Sequence, residues 1–265
     1  MVKGKVIFED EEKVAIKYPC FELKDIVEYY FEIHTQDNSI NPFSIIALPN
    51  ANTTVSVYLS DKSQTFKVCR KHGVSDVSGD KISGSLTEAI TIIHVPGTHE
   101  FSIKFKPGVL YPCLSKDITS LTDNHLPLHK YIKQEVLNEL KLKASFDERV
   151  QFAENWLLGN MKIFSSDFKL NAVAKAIYYI KNSHDYKLNA VSKEVGVSNS
   201  TLNRYFRDVL GISPKQCFKA LRFKIALKDY RSNGSVVLYD ELGYTDFSHF
   251  VKEAKKLANN TPSEL

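Results

Sequence analysis

The feature that most constrains the fold is a change of hydrophobic pattern near Lys106-Pro107-Gly108. Before this point, short runs rich in Val, Ile, Thr, Tyr and Phe alternate with turn-forming residues, a pattern typical of an antiparallel sheet or small barrel. After it, apolar residues recur every three or four positions, which indicates helices. The expected strands are Val27–His34, Phe43–Leu48, Thr53–Leu59, Lys81–Leu86, Ala89–Val95 and Glu100–Lys106, and the first long helices are Leu128–Leu142 and Asp147–Leu158. The sequence therefore predicts an α+β protein.

Length and charge divide the chain into two domains. Its 265 residues exceed the usual size of one compact core. We expect a β-rich regulatory domain over residues 1–158, a hinge over 159–169 and an all-helical domain over 170–265. The residues before 170 hold 20 Lys and Arg against 22 Asp and Glu, whereas the remainder hold 15 against 9. The net charge of +6 on the last domain favours a nucleic-acid partner.

A helix-turn-helix pattern lies in this basic domain. A short helix over Leu188–Val195 is followed by a tight turn at Gly196, and Ser198 is a suitable cap for a second helix over Asn199–Leu210. One face of the second helix is apolar, with Leu202, Tyr205, Phe206 and Val209, and the opposite face is polar, with Ser200, Asn203, Arg204 and Arg207. Such a polar face suits the DNA major groove, where Arg binds guanine and Asn binds adenine. A merely solvated helix face has a similar composition, so both interpretations stay open here.

The same pattern recurs nearer the C-terminus. Ser213-Pro214 begins a long helix that runs to about Tyr230. A short helix over Val236–Leu242, a turn, and a helix over Phe247–Leu257 follow. The connecting helix spans roughly 27 Å, so two recognition helices would lie about one DNA turn, roughly 34 Å, apart. We therefore expect two helix-turn-helix units, joined by a long helix, to bind double-stranded DNA.

Sequence motifs in both units are consistent with this interpretation. They are Val197-Ser198-x3-Leu202-x-Arg204-x-Phe206-x4-Leu210-Gly211-Ile212-Ser213-Pro214, Leu221-Arg222-x3-Ala226, Leu242-Gly243-Tyr244-x-Asp246-x-Ser248-His249-Phe250 and Thr261-Pro262. In this order and spacing they resemble the DNA-binding domain of AraC/XylS-type bacterial transcriptional regulators. The resemblance implies sequence-specific DNA binding by the second helix of each unit.

Matched residue by residue, the resemblance assigns base-reading positions in both units. These are Asn199, Ser200, Asn203 and Arg204 in the first unit, and Phe247, Ser248 and Lys252 in the second. The face analysis adds Arg207 as a phosphate contact. On the second unit, Lys252, Lys255 and Lys256 are expected to anchor the protein to phosphates.

Three positions of the second unit depart from the family pattern. Tyr239 stands where a small residue is expected, Ala254 where an aromatic is expected, and Asn259 where a turn glycine is expected. We interpret the first two as a volume-conserving exchange, in which the Tyr239 ring fills the space beside Ala254. The alternative is that the second unit is degraded and the protein is an interaction or adaptor module that does not bind DNA. The intact polar face of the first unit and the +6 charge favour DNA binding.

The first domain carries a second resemblance. Pro19-x3-Leu23-x3-Val27-x-Tyr29-Tyr30, Gly84 and Phe105-Lys106-Pro107-Gly108-x-Leu110-Tyr111 look like the uncharacterised N-terminal domain of some bacterial AraC-type regulators. In the wider family such domains sense a small molecule or dimerise. The resemblance therefore implies a small-molecule effector or a homodimer, and it identifies no ligand-binding residue.

Other chemistry has little support in the sequence. The cysteines at 20, 69, 113 and 217 form no CxxC pair, and the pairs His94/His99 and His125/His129 lack further ligands at metal-site spacing. Hydrolase, P-loop, dinucleotide and zinc-protease motifs are missing from the sequence. We expect no enzymatic activity, no metal and no cofactor. Without a long apolar stretch or a signal peptide, we expect a cytoplasmic protein that does not contact membranes.

Overall fold

The computed structural model describes residues 13–35, 42–60, 65–164, 167–234 and 241–265. The strands are β1 Val14–Lys17, β2 Val27–His34, β3 Phe43–Ala47, β4 Thr53–Tyr58, β5 Thr65–Arg70, β6 Gly73–Ser78, β7 Lys81–Ser83, β8 Ile90–His94, β9 His99–Phe105 and β10 His125–Pro127. The α-helices are α1 Tyr111–Leu114, α2 Ile118–Leu121, α3 Gln134–Lys141, α4 Phe146–Gly159, α5 Phe168–Ser183, α6 Leu188–Val195, α7 Asn199–Leu210, α8 Pro214–Asn233 and α9 Phe247–Ala258. A β-rich part therefore precedes a helical part, and the predicted α+β class is confirmed.

Two antiparallel sheets form the β-rich part. The strand order is β1-β2-β9-β4-β7-β10 in the larger sheet and β3-β8-β5-β6 in the smaller one. Rings from the two sheets meet between them, because Tyr58 of β4 stacks on Phe66 of β5 with ring centroids 5.9 Å apart. The inner faces of the two sheets therefore face one another across the interior of the domain.

All six predicted strands are present, but the sequence pattern missed β1, β5, β6 and β10. The β5–β6 hairpin is weakly patterned because most of β6 is exposed. The helix predicted over Leu128–Leu142 begins instead as a 3-10 turn at Leu128–Lys130, followed by α3. The Leu128 amide donates a hydrogen bond to the Asp80 carbonyl beside β7. This tertiary contact holds the first turn apart from the helix that the apolar spacing predicts.

Short helices cover the outer face of the larger sheet. Phe101, Ile103 and Phe105 of β9 pack in one apolar cluster with helical residues such as Leu114 and Leu137. These three β9 residues alternate with Glu100, Ser102 and Lys104, which lie on the opposite face of the strand because side chains in a strand alternate. The outer face of β9 thus belongs to the core, and its polar face points between the sheets.

A buried ion pair ties the helical cover to the sheet. Arg149 of α4 binds the Glu32 carboxylate of β2 through two hydrogen bonds of 2.7 and 2.9 Å. His99 bonds the same carboxylate at 2.8 Å. Burial alone would raise the pKa of Glu32, but the hydrogen bonds from His99 and Arg149 hold it below its usual value. The Glu32 carboxylate therefore stays ionised and keeps its hydrogen bonds to Arg149 and His99.

The helical part packs directly against the β-rich part. Ser85 Oγ donates to the Leu210 carbonyl at 2.9 Å, and the Ala89 amide donates to the Leu257 carbonyl at 2.7 Å. Gly211 has a φ of +72°, and a Cβ built there would lie 2.3 Å from Thr122 Oγ1. Glycine is therefore required at this position both for the backbone and for the close approach of α7 to α2.

The domain boundaries at 158 and 170 stay a prediction. Part of the expected hinge over 159–169 is a 3-10 helix at Met161–Phe164, and α5 begins at Phe168 with Asp167 as its N-cap. Within the described ranges, no helix has both the length and the apolar character needed to cross a membrane.

We predict that Arg149→Met lowers the free energy of unfolding by about 3–5 kcal/mol, because it leaves the buried Glu32 charge without its main partner. Lys17→Met is the matched control, since Lys17 pairs with Asp147 at the exposed surface and should contribute less than about 1 kcal/mol. Urea denaturation of both variants provides the measurement. Equal losses in the two variants would contradict a special role for the buried pair.

Candidate nucleic-acid interface

The first helix-turn-helix unit is α6, a turn and α7, with the predicted bounds for both helices. Gly196 ends α6 with a φ of +85°, a backbone conformation that favours glycine. Ser198 caps α7 by accepting a hydrogen bond from the Thr201 amide. Local sequence signals therefore set where the turn lies and where α7 begins.

Apolar packing fixes the orientation of α7. Leu202, Phe206 and Val209 are completely or almost completely buried in one cluster with residues of α5 and α8. Phe206 meets Phe218 of α8 edge to face, with ring centroids 5.7 Å apart. Tyr205, predicted on the same face, is only half-buried. Because this face is locked into the core, the opposite face must point outward.

The polar face of α7 is open to solvent along its length. Ser200, Arg204 and Arg207 are exposed. The Arg204 guanidinium lies 5.6 Å from the ring centroid of Tyr205, within reach of a cation–π interaction. These three side chains lie on one accessible surface, as a helix that enters a DNA groove requires.

Two asparagines assigned as base-reading positions are engaged within the unit. The Asn199 side chain accepts a hydrogen bond from Ser192 Oγ at 2.6 Å and donates to Asn189 of α6. The half-buried Asn203 amide donates to the Asn199 carbonyl at 2.9 Å. Asn199 therefore holds the two helices together, a role that the one-dimensional face pattern did not indicate.

Helix α8 connects the two units. Its N-terminus has a full capping box, in which Ser213 and Gln216 bond each other's backbone amides. The 20 residues of α8 span about 30 Å. The helix continues to Asn233, three residues beyond the predicted end, and Gly234 closes it with a φ of +72°. A stiff rod of this length sets the separation of the two units.

In the second unit, α9 presents its predicted contact residues to solvent. Ser248, Lys252, Lys255 and Lys256 are exposed. Phe247 is 41% exposed and stacks on Tyr230 of α8, with ring centroids 5.7 Å apart. The exposed side of α9 thus carries three lysines and few groups able to read bases.

A buried polar network holds α9 in place. The Glu253 carboxylate of α9 accepts hydrogen bonds from both Nε and Nη2 of Arg222 and from the Tyr244 hydroxyl at 2.5 Å. Burial and the Glu253 charge raise the pKa of Tyr244, so its hydroxyl stays protonated and donates. Arg222, Glu253 and Tyr244 each have a hydrogen-bond partner in this network, and such pairing is the condition for a stable buried network.

The departures from the family pattern lie around this network. Ala254 is 0% exposed and packs in a cluster with Phe223 and Phe250. Asn259 ends α9 with a φ of +55°, so it adopts the left-handed conformation expected for the glycine it replaces. Tyr239 and most of the predicted helix Val236–Leu242 lie outside the described residues, so the proposed exchange with Ala254 stays a prediction.

A cavity in the β-rich part is the second candidate site, and the sequence reasoning missed it. It has a volume of about 530 Å³ and lies between the two sheets. Its walls include Lys104 of β9 and, from α8, Lys224 and Lys228.

The histidine pairs His94/His99 and His125/His129 belong to no group of metal ligands. Within the described part of the chain, no three His, Cys, Asp or Glu residues are grouped to hold a metal ion.

Two protein families match parts of the chain. Residues 191–265 match a family described as a helix-turn-helix domain, and residues 17–127 match a domain of unknown function, DUF6597. The sequence matches no curated protein.

Several solved structures are similar in shape. ToxT from Vibrio cholerae aligns over 96% of this chain and 97% of its own, with 10% identity and a TM-score of 0.47. Unsaturated fatty acid-bound ToxT from Vibrio cholerae strain SCE256 aligns over 97% and 96%, with 10% identity and a TM-score of 0.47. The AraC-like transcriptional activator CuxR aligns over 87% and 90%, with 15% identity and a TM-score of 0.30.

We predict that Glu253→Ala unfolds or loosens the second unit, because it leaves the buried Arg222 charge and the Tyr244 hydroxyl without their acceptor. The expected loss is about 3–5 kcal/mol, with faster amide hydrogen exchange in α9 than in α7. Glu194→Ala, which removes an exposed partner of Lys175, should cost less than about 1 kcal/mol. Unchanged exchange in α9 would show that apolar packing alone holds this helix.

Proposed function

We propose that residues 191–265, which match a helix-turn-helix family, act as an AraC-type DNA-binding domain and read the DNA major groove through α7. The supporting observation is the exposed row of Ser200, Arg204 and Arg207 opposite a fully buried apolar face. Arg204 is the base-reading residue, because it lies mid-helix on this surface. Arg207, one turn further on, contacts phosphate.

The two units have different tasks in this proposal. The first unit reads sequence through Ser200 and Arg204, with Asn203 beside them. Asn199 supports this face through its bonds to α6. The second unit places Ser248 and Phe247 at the DNA surface, and its lysines bind phosphates, which position the protein on the duplex without carrying sequence information. With α8 spanning about 30 Å, both units reach one face of the duplex about one turn apart.

The adaptor alternative rests on the lysine-dominated surface of α9, which carries few base-reading groups. The Arg222–Glu253–Tyr244 network speaks against erosion of the second unit, because a buried polar network stabilises a core only when its members are paired. We therefore favour DNA binding over an adaptor role.

We also propose that the β-rich domain, residues 1–158, senses a small molecule and changes DNA binding through α8. The cavity favours sensing over dimerisation as the role of this domain, because the cavity is a concave site lined by apolar residues and a few polar groups. Lys224 of α8 pairs with Glu28 of β2 at 3.6 Å. The neighbouring Lys104 charge, together with burial, lowers the pKa of Lys224. A ligand that changes these contacts at the cavity wall would shift α8.

We predict that Arg204→Ala weakens binding to a specific site by about 1–3 kcal/mol and relaxes base preference at one position of that site. A duplex selected from a random library supplies the specific site, and fluorescence anisotropy measures affinity. Arg207→Ala is the matched control and should weaken binding to specific and random duplexes equally. Equal losses for Arg204→Ala on both duplexes would reassign Arg204 as a phosphate contact.

We predict a steep fall of log affinity with log salt concentration, because each neutralised phosphate contributes about −0.9 to the slope. Lys252→Gln and Lys255→Gln should each reduce the magnitude of the slope by about 1. Affinity measured at four salt concentrations gives these slopes. A wild-type protein with no salt dependence and no measurable affinity for DNA would support the adaptor role instead.

A further inference from the structure

The cavity between the sheets has polar and apolar lining in different places. The larger sheet contributes apolar residues from β1 and β2, such as Ile16 and Ile33, and polar residues from β4, β7 and β9, namely Thr54, Ser56, Lys81, Ser83, Glu100 and Lys104. The smaller sheet contributes mainly apolar residues, such as Ile90, Ile92, Phe66 and Val68. This division follows from strand geometry, because residues two apart on a strand point to the same side. A ligand that fills this cavity must therefore be amphipathic.

The cavity extends along the strands from the helical domain to a polar end. Lys104, close to α8, and Glu100 are four residues apart on β9, or roughly 13 Å. Glu100 pairs with Lys81 of β7 at 3.3 Å. The Lys81 ammonium also lies 4.1 Å from the ring centroid of Phe66, on the opposite sheet. This pair has no net charge, since each charge is compensated by the other.

His94 lies at the same end, on the otherwise apolar wall. It follows Ile90 and Ile92 on the cavity side of β8, and only 2% of its surface is exposed. Neither ring nitrogen has a hydrogen-bond partner within the described part of the chain. Burial lowers the pKa of His94 to about 4, so the ring is neutral near pH 7. In the neutral ring, one nitrogen can donate a hydrogen bond and the other can accept one.

An unpartnered buried polar group is costly, and proteins keep few of them. Several buried polar groups of the domain have partners, as Glu32 has in Arg149 and Ser56 has in Ser102 at 2.7 Å. The buried hydroxyls without a partner among the described residues, those of Tyr30, Ser44, Tyr58, Ser60 and Tyr186, do not line the cavity. His94 also lines a cavity large enough for a small organic molecule. A leucine at position 94 would not have the cost of an unpartnered polar group. A histidine that faces a cavity at such a position indicates a binding role.

We propose that the His94 end of the cavity binds the uncharged polar group of a small amphipathic molecule, such as an alcohol or a carboxamide. The group either donates to the unprotonated imidazole nitrogen or accepts from the protonated one, and the apolar body lies along the wall formed by Ile90, Ile92 and Val68. A charged group is disfavoured at this end of the cavity, because Lys81 and Glu100 already neutralise each other. The other lysines of the cavity, Lys104, Lys224 and Lys228, belong to the end beside α8. This inference rests on the proposed sensing function and names the chemistry of its ligand.

The test uses full-length protein and probes of one chain length: 1-octanol, octanamide, octanoate and octylammonium. Calorimetric titration should give binding of the two neutral probes that depends on His94, whereas any binding of octanoate or octylammonium should not depend on it. His94→Leu should weaken the neutral probes about tenfold, the loss expected for about one hydrogen bond. His34→Leu, at an exposed position of β2, is the control and should change nothing. In wild-type protein labelled at histidine, the His94 ring signals should move on addition of 1-octanol.

Stability distinguishes a binding role from a structural one. Without any probe, His94→Leu should raise the melting temperature by about 2–4 °C, since it removes an unpartnered buried group. A lower melting temperature would make His94 structural and overturn the proposal. Neutral-probe binding that His94→Leu leaves unchanged, or no binding of either neutral probe, would overturn it too. Because these titrations need no DNA, failure of the cavity proposal is separate from failure of DNA binding by Arg204 and its neighbours.

Discussion

Helix α8 is the element on which both the DNA-binding surface and the cavity depend. Its apolar residues are spread around its circumference: Cys217 and Phe218 pack in the first unit, whereas Phe223 and Leu227 pack in the second, together with Ile46 and Leu48 at the end of β3. A helix with apolar residues on more than one side needs cover on each of those sides. Neither unit separates from α8 without exposing apolar surface. Because Lys224 and Lys228 of α8 also line the cavity, α8 is in contact with the cavity and with both helical units.

The buried polar groups of the described residues divide into those that are paired within the fold and a set, which includes His94, that has no hydrogen-bond partner there. Arg149 with Glu32, and Arg222 with Glu253, are paired at hydrogen-bond distance and join elements far apart in the chain. Such pairs add specificity of arrangement more than net stability. His94 lacks any such partner within the described residues, and it faces open space. The two ion pairs make their hydrogen bonds within the fold, whereas we propose that His94 makes its hydrogen bond to a ligand.

Much of the DNA-binding surface could be predicted from the sequence, because its signals are local. Ser198 and Gly211 delimit α7 by capping and by a left-handed turn, and the structure places both ends where these signals predict. The bonds of Asn199 to Ser192 and Asn189 could not be predicted. They depend on how closely α6 crosses α7, and side chains from a separate helix decide that distance. The weakly patterned β5–β6 hairpin was missed for a related reason: only pairing with β8 defines it.

By itself the sequence determined that the chain is α+β, where α6 and α7 begin and end, and which face of α7 is polar. These follow from periods of two and 3.6 residues and from capping, which act over a few neighbouring positions. Only the tertiary structure decided that Lys81, Glu100 and His94 meet at one end of a cavity that α8 adjoins. Alternation along a strand shows which residues share a face, and a strand facing a core has the same pattern as one facing a cavity. The distance between the two sheets, set by all their side chains together, makes the difference.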